Sequence, residues 1–518
     1  MKKATILSIL LFIAFLTTIS SAQVYEAWVA RYYGPGGGLD EAYALAVDDS
    51  GNVYVTGRSG IFPDYATFKY SPAGDTVWLR RYNSPGNNWD EANALAVDDS
   101  GNVYVTGMVD LDCDYLCTGG DYGTIKYAPN GETLWVRRYN GSGDDNDEAA
   151  ALAVDDGGNV YVTGRSFGSG TDYDYATIKY SPAGDTLWVR RYNGPGSGHD
   201  DANALAVDDS GNVYVTGKSF GAGSDYDYAT VKYSPAGDTL WARRYNETGI
   251  SNDEATALAV DKSGNLSVTG TSFGDYVTIK YSPAGDTVWV RRYNGSGNGD
   301  DRAYALTVDD SGNVYVTGES YGSGINYDYA TIKYSPAGDT LWVRRYNGPG
   351  SGHDEAYALA VDDSGNVYVT GESRGIGTWY DYATIKYSAA GDSMWVRRYN
   401  ATVNSIDEAL ALAVDDSGNV YVTGRSEGSR TSYDYATIKY SPCFRSGNLT
   451  GDDKVNMTDV VYLVNIVLKS WAIPGPNCLA DVNGDSLLSL ADVIFLANYV
   501  LKFGPSPVVS GACCLAVP

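Results

Sequence analysis

An all-β fold is predicted by three observations. A single motif, VYVTG, begins at Val53, Val103, Val160, Val213, Leu266 (as LSVTG), Val314, Val367 and Val420, roughly every 50 residues, which is the spacing of a repeat array. Each copy breaks into short runs rich in Val, Tyr, Thr, Ile and Trp, bounded by clusters of Gly, Pro, Asn, Asp and Ser. No stretch of helical periodicity interrupts these runs before Cys443.

Within one copy, for example Asp147–Gly194, four strands are expected: ALAVDD, NVYVTG, DYATIKYS and DTLWVRRYN. DSG joins the first two and SPAG the last two. Gly supplies positive φ and Pro pre-sets the turn, so both joints read as tight hairpins. Neither face of the sheet reads as a solvent face, since Leu134 and Val136 oppose Trp135 and Tyr139. Sheets with two dry faces must stack on one another, and radial stacking of four-stranded sheets makes a β-propeller.

The ends of the array distinguish a ring from an open stack. The eighth copy stops after Asp434–Pro442 without a fourth strand, and residues 27–33 (AWVARYY) form a fourth strand with no copy of its own. Trp28 thereby completes the set Trp78, Trp135, Trp188, Trp241, Trp289, Trp342 and Trp395. Pairing the two leftover edges removes both, which predicts an eight-bladed β-propeller over residues 23–442, closed by the N-terminal strand. The repeat resembles the bacterial β-propeller repeat family whose units carry a VDxxGNVYVTG core. The resemblance spans residues 26–442 and implies the fold but little chemistry. That family is often seven-bladed, whereas eight copies are present here.

Residues 1–22 read as a secretory signal: Lys2 and Lys3, an apolar run from Ala4 to Ile19, then Ser20-Ser21-Ala22 before Gln23. An uncleaved anchor is the alternative, although the run is short for a span. An extracellular, secreted or cell-surface-associated protein with no membrane span in the mature chain is expected. With 37 basic and 64 acidic residues the formal charge is −27, which disfavours nucleic acid and anionic membranes.

Because each blade runs up, down, up, down, its two tight turns share one face of the disc. The second-to-third-strand loops and the interblade loops share the other, and only those vary. Loop variation on a rigid scaffold marks the candidate functional face. Trp89, Trp379 and Tyr380 are the candidate ligand-binding residues there, with Tyr321 and Tyr327 in equivalent loops. They offer either a stacking platform for sugars or ordinary loop packing. His199 and His353 sit in equivalent interblade loops too far apart to share a metal. Cys113 and Cys117 read as a loop-stapling disulfide.

Each copy opens on a carboxylate pair, from Asp40/Glu41 through Asp300/Asp301 to Asp407/Glu408. Acid–base catalysis needs two carboxylates in unlike environments. Eight pairs related by ring symmetry are expected to be alike, and so to act as caps and turn residues. No nucleophile elbow, phosphate loop or HExxH motif is present.

After Pro442 two matching segments follow, each an oxygen-rich loop ahead of an apolar run at helical spacing. Asp481, Asn483, Asp485, Ser489 and Asp492, with the Leu487 carbonyl, occupy the positions of a twelve-residue calcium loop of EF-hand type. Asn448, Thr450, Asp452, Asn456 and Asp459, with the Lys454 carbonyl, are the counterparts in the first loop. This duplicated module (residues 443–507, with a tail at 508–518) resembles a dockerin. The resemblance implies two bound Ca2+ ions and a cohesin-bearing scaffold as partner. Asn448 replaces the family's Asp, and Asp453 and Ser486 replace its turn glycine, so the first site is expected to be the weaker. Among Cys443, Cys478, Cys513 and Cys514 three pairings are possible.

The sequence therefore points to a secreted, non-catalytic binding or scaffold protein, tethered through calcium-dependent cohesin recognition and handling a glycan ligand. The alternatives are a carbohydrate-active enzyme, a glycoside hydrolase or lyase with its site on the variable face, and a structural spacer.

Overall fold

The computed structural model describes residues 24–442, apart from 87, 111–118, 144, 197, 224, 248–251, 323–325, 402–404 and 429–431, and the segments 457–469 and 489–502. It contains thirty-two strands, β1 to β32 in chain order, and two helices. After β1 (Val24–Tyr32), blade 1 comprises β2 (Leu39–Val47), β3 (Val53–Gly60), β4 (Asp64–Tyr70) and β5 (Thr76–Tyr82). The pattern repeats to blade 8, which comprises β30 (Asp407–Val414), β31 (Val420–Glu427), β32 (Tyr433–Pro442) and, as its outer strand, β1. The ring closes as expected: β1 pairs antiparallel with β32, and Trp28 lies opposite Lys439.

The first strands of successive blades contact one another all the way round, including β2 with β30. They therefore line the central axis. Each core cluster is built between blades rather than within one. Tyr54, Tyr65 and Trp78 of blade 1 pack with Ala92, Val103, Val105, Ile125 and Tyr127 of blade 2. A third-strand tyrosine in every blade donates its hydroxyl to a backbone carbonyl of the next, from Tyr65 to Gly123 at 3.1 Å round to Tyr435 to Ala66 at 3.2 Å. The last of these bonds crosses the seam, so the ring is continuous in packing as well as in pairing.

The fourth-strand tryptophans point the same way. Trp78 donates to the Pro129 carbonyl in the next blade's turn between third and fourth strands (APNG in blade 2) at 3.0 Å, and Trp28 to Pro72 at 3.1 Å. The glycine of that turn is required twice over: Gly131 has φ +81°, and a Cβ on it would lie 2.9 Å from the Trp78 ring. One expectation fails at the rim. The residue before six of the eight tryptophans does not pack: Val77, Leu134, Leu187, Leu240, Val288 and Leu341 are all about half exposed, whereas Met394 is partly buried against the core between blades 7 and 8.

In the C-terminal module α1 (Met457–Lys469) and α2 (Leu490–Lys502) pack through Val460, Leu463, Ile466, Val493 and Leu496. Their duplicated sequence repeats its outer face as well. Met457, Val461 and Leu468 of α1 and Leu490, Ile494 and Leu501 of α2 are exposed at matching positions. Among the described residues no helix is long and apolar enough to cross a membrane.

Candidate ligand-binding site at the channel mouth

Each first strand begins at the end of the channel bordered by the variable loops. Its leading aspartate, Asp40, Asp90, Asp147, Asp200, Asp253, Asp301, Asp354 or Asp407 (the first strand residue in every blade but blade 1, where Leu39 precedes it), is fully buried. Asp90 accepts the N–H groups of Ser84 at 2.7 Å and Asp110 at 3.0 Å, tying the interblade loop to the second-to-third-strand loop. These aspartates are caps, as the sequence implies. Burial pushes Asp90 and Asp407 up to about 6, against the hydrogen bonds they accept.

The second residue behaves differently, and here the expectation of eight equivalent pairs is overturned. In blade 6 the register sets Asp301 opposite Ser320 and Arg302 opposite Glu319. The pair is therefore Asp301/Arg302, not Asp300/Asp301. Around the ring the second residues are Glu41, Glu91, Glu148, Asp201, Glu254, Arg302, Glu355 and Glu408. Opposite them on the second strands stand Arg58, Met108, Arg165, Lys218, Thr271, Glu319, Glu372 and Arg425. In three blades the second-strand residue is a cation bridging two neighbouring carboxylates. Arg58 contacts Glu41 at 2.6 Å and Glu91 at 2.9 Å. Lys218 contacts Asp201 and Glu254, both at 3.4 Å. Arg425 contacts Glu408 at 2.5 Å and, across the seam, Glu41 at 2.8 Å.

Between blades 6 and 8 this alternation breaks. Glu319, Glu355, Glu372 and Glu408 follow one another with no cation between them. Glu319 is held by Arg302 at 2.7 Å and by the Tyr304 hydroxyl at 2.9 Å. Glu355 accepts from the Tyr357 hydroxyl at 2.9 Å. Glu372 is 7% exposed, and its hydrogen-bonding neighbour is the carboxyl of Glu408. Burial, then the charges of Glu408 and Glu355, hold Glu372 well above the usual carboxylate range. Burial and the charge of Glu319 raise Glu355. Glu41 goes the other way: burial raises it, but the Tyr43 hydroxyl and two guanidiniums more than offset that. Identical sequence positions thus acquire opposite acidities from their neighbours.

A β-bulge in each first strand, between Ala42 and Ala44 in blade 1, leaves one residue without a cross-strand partner. Such bulges re-aim side chains. The bulged residues are the variable ones: Tyr43, Asn93, Ala150, Asn203, Thr256, Tyr304, Tyr357 and Leu410. Tyr304 and Tyr357 meet across blades 6 and 7 with ring centroids 5.6 Å apart, beside the run of acids.

Of the residues singled out from sequence, Trp89 joins this ring. It is 41% exposed, donates Nε1–H to Glu91 at 2.9 Å, and lies under the Arg58 guanidinium at 5.1 Å. Trp379 is 55% exposed beneath Arg374 at 5.0 Å, which also lies 5.9 Å from the half-buried Tyr380. The two indoles sit on different blades, and among the described residues no ring contact joins them, so they are separate stations rather than one platform. His199 and His353 pack against Tyr173 and Tyr327 in equivalent fashion. Glu319 and Glu372 were missed from sequence. The signal was GES in two copies where others read GRS or GKS, but its meaning depends on strand register.

Cys113 and Cys117 lie outside the described residues, as do Asn448, Thr450, Asp452, Lys454, Asn456, Asp481, Asn483, Asp485 and Leu487; Asp459 lies in α1, without a described side chain. Ser489 and Asp492 form a reciprocal cap at the start of α2. The Ser489 Oγ accepts from Ala491 N–H at 3.1 Å, and Asp492, fully buried, accepts from Ser489 N–H at 2.9 Å.

A family model described as beta-propeller repeat (SBBP) matches residues 28–63, 187–222, 288–326 and 341–377. An uncharacterized WD repeat-containing protein of Acanthamoeba polyphaga mimivirus is 25% identical over 212 residues, 30% of this chain. The match covers 15% of that relative's length. Among solved structures, a polysaccharide lyase is similar at 12% identity and a TM-score of 0.42, over 82% of this chain and 98% of its own. A putative gluconolactonase is similar at 14% identity and a TM-score of 0.27, over 52% of this chain and 84% of its own. With its eight closed blades and four family matches, the chain is a β-propeller repeat protein.

Proposed function

We propose that this chain is a secreted binding protein whose propeller presents the channel mouth to a glycan, and whose C-terminal module docks it onto a cohesin-type scaffold. The observation that carries the glycan half is Trp89. Its indole is clamped by Glu91 and Arg58 yet 41% exposed at the rim of the channel. A rigid aromatic face ringed by charge-paired polar groups is the chemistry that recognises a sugar, with its apolar ring face and hydroxyl edge. In the docking half, Asp481, Asn483, Asp485, Ser489 and Asp492, and their counterparts from Asn448 to Asp459, would supply the oxygens for Ca2+. The matching exposed aliphatics on α1 and α2 would meet the partner.

The test is retention of the full chain on insoluble polysaccharides and on an immobilised cohesin. Trp89→Ala is expected to weaken glycan retention about tenfold, and chelator to abolish cohesin capture. Retention unchanged by Trp89→Ala and Trp379→Ala overturns the glycan half and leaves a structural spacer. Cohesin capture that ignores chelator overturns the docking half. An enzymatic reading is favoured by one observation, the adjacent carboxyls of Glu355 and Glu372, both raised by burial and by neighbouring carboxyls. Turnover of a bound polysaccharide, lost in Glu372→Gln, would establish it.

A further inference from the structure

The second-strand positions of the mouth are not all cations, and in blade 7 the position is itself a carboxyl set between two others. In blades 1, 4 and 8 the second-strand side chain between two first-strand carboxylates is Arg58, Lys218 or Arg425. In blade 7 the same place, between Glu355 and Glu408, holds Glu372. We propose that this gap is a binding site for an ammonium group, and specifically for the free amine of an amino-sugar unit, which supplies from outside the cation that blade 7 lacks. The proposal rests on the glycan reading and adds the chemical class of the sugar.

Three features of the sector fit an organic ammonium. Glu372 is more than nine-tenths buried and, among the described contacts, its hydrogen-bonding neighbour is another carboxyl, so the site holds acceptors in excess of donors. An ammonium brings three N–H donors and a positive charge. Tyr304 and Tyr357 form an aromatic wall beside the acids, and a cation over such rings gains further attraction. No set of three or more His, Cys, Asp or Glu among the described residues is arranged to hold a metal ion.

In the absence of ligand, protonation relieves the same crowding of negative charge, which is why Glu372 and Glu355 hold their protons above the ordinary range. The charged and titratable groups facing Glu372 are Glu355 and Tyr357 of its own blade, Tyr380 and Arg374 at its loop end, Glu408 and Arg425 of blade 8, and Tyr329 of blade 6. Entry of the ammonium displaces a proton from this group, so binding and proton release are linked.

The experiment is calorimetric titration of the full chain at pH 6 with fully deacetylated glucosamine oligomers, their N-acetylated counterparts, and 1,4-diaminobutane as a cation without a sugar. The deacetylated oligomer is expected to bind at least about tenfold tighter than the acetylated one. The heats should differ between buffers in the way that proton release requires. Glu372→Gln should erase the preference. Glu372→Arg, which restores the side chain used in blades 1 and 8, should abolish ammonium binding without lowering the melting temperature. Equal binding of both oligomers, or a preference that survives Glu372→Gln, overturns the ammonium site and leaves the glycan reading standing. Glu372-dependent binding of diaminobutane without binding of any oligomer keeps the site and overturns the glycan reading. No binding of any probe overturns both.

Discussion

The two ends of the channel are built on opposite terms. At the tight-turn end, seven of the eight blades repeat one clamp. In blade 2, Asp98 accepts the N–H groups of Ser100 and Asn102, the Asn102 side-chain amide and the Tyr104 hydroxyl. Blade 5 loses the tyrosine, having Ser267 instead, and the buried Lys280 then reaches Asp261 at 3.0 Å. At the mouth, equivalent positions carry Arg, Lys, Met, Thr or Glu. The difference separates what stacking demands from what it leaves free. The turn end locks each hairpin into the next blade, so one solution recurs. Beyond the buried capping aspartates, the mouth carries no such constraint, and its residues are available for recognition.

The comparison is broken most forcefully at the seam. Trp28 packs on Tyr70 and Tyr421 and donates to the Pro72 carbonyl at the turn end. Trp28→Ala is expected to destabilise the ring by about 3 kcal/mol, read by denaturant unfolding, while affinity at the mouth of the folded protein is unchanged. Asp98→Ala should cost about 2 kcal/mol, because it orphans the Tyr104 hydroxyl and the Asn102 amide together. It too should spare the mouth. A matching loss of affinity in either variant would mean that the two ends are not independent.

These same particulars decide how much could be read from the sequence. The blades, their number and the lent N-terminal strand were legible because each depends on local signals: DSG and SPAG turns, strand-forming runs, and a Trp28 segment without a copy. The capping role of Asp40 and its equivalents was legible for the same reason. The inequality of the second residues was not. Glu41 is held acidic by Arg58 and by Arg425, which is 384 residues away, and Glu372 is raised by Glu408 of the next blade. Only the strand register, shifted by the bulge before Ala44, brings these side chains together. Trp89 was found because it departs from the repeat, whereas its clamp, Glu91, belongs to a repeated position and gave no sign of its role.

The smallest expected effect isolates the mouth by pH. Asp90, Asp275 and Asp407 are pushed up to about 6, chiefly by burial. Their folded forms therefore bind protons that the unfolded chain has already released. Stability from these groups is full below the unfolded value near 4 and is lost as pH rises through about 6. Asp48, Asp98, Asp155, Asp208 and Asp309 at the turn end have the opposite sign. Burial raises each, but hydrogen bonds from Asn and Tyr more than offset it, so their contribution disappears as pH falls below the ordinary carboxylate value. A stability maximum near pH 5 follows, measurable as melting temperature across pH 3–9. Glu372→Gln leaves all of these groups in place and removes one further raised carboxyl. The variant should match the parent below about pH 4, where the carboxyl is protonated in the folded and unfolded chain alike, and exceed it increasingly as pH rises toward 9, because the folded chain keeps a proton that the unfolded chain has released. A difference independent of pH would mean that Glu372 is ionised throughout, and that the mouth has no missing cation to supply.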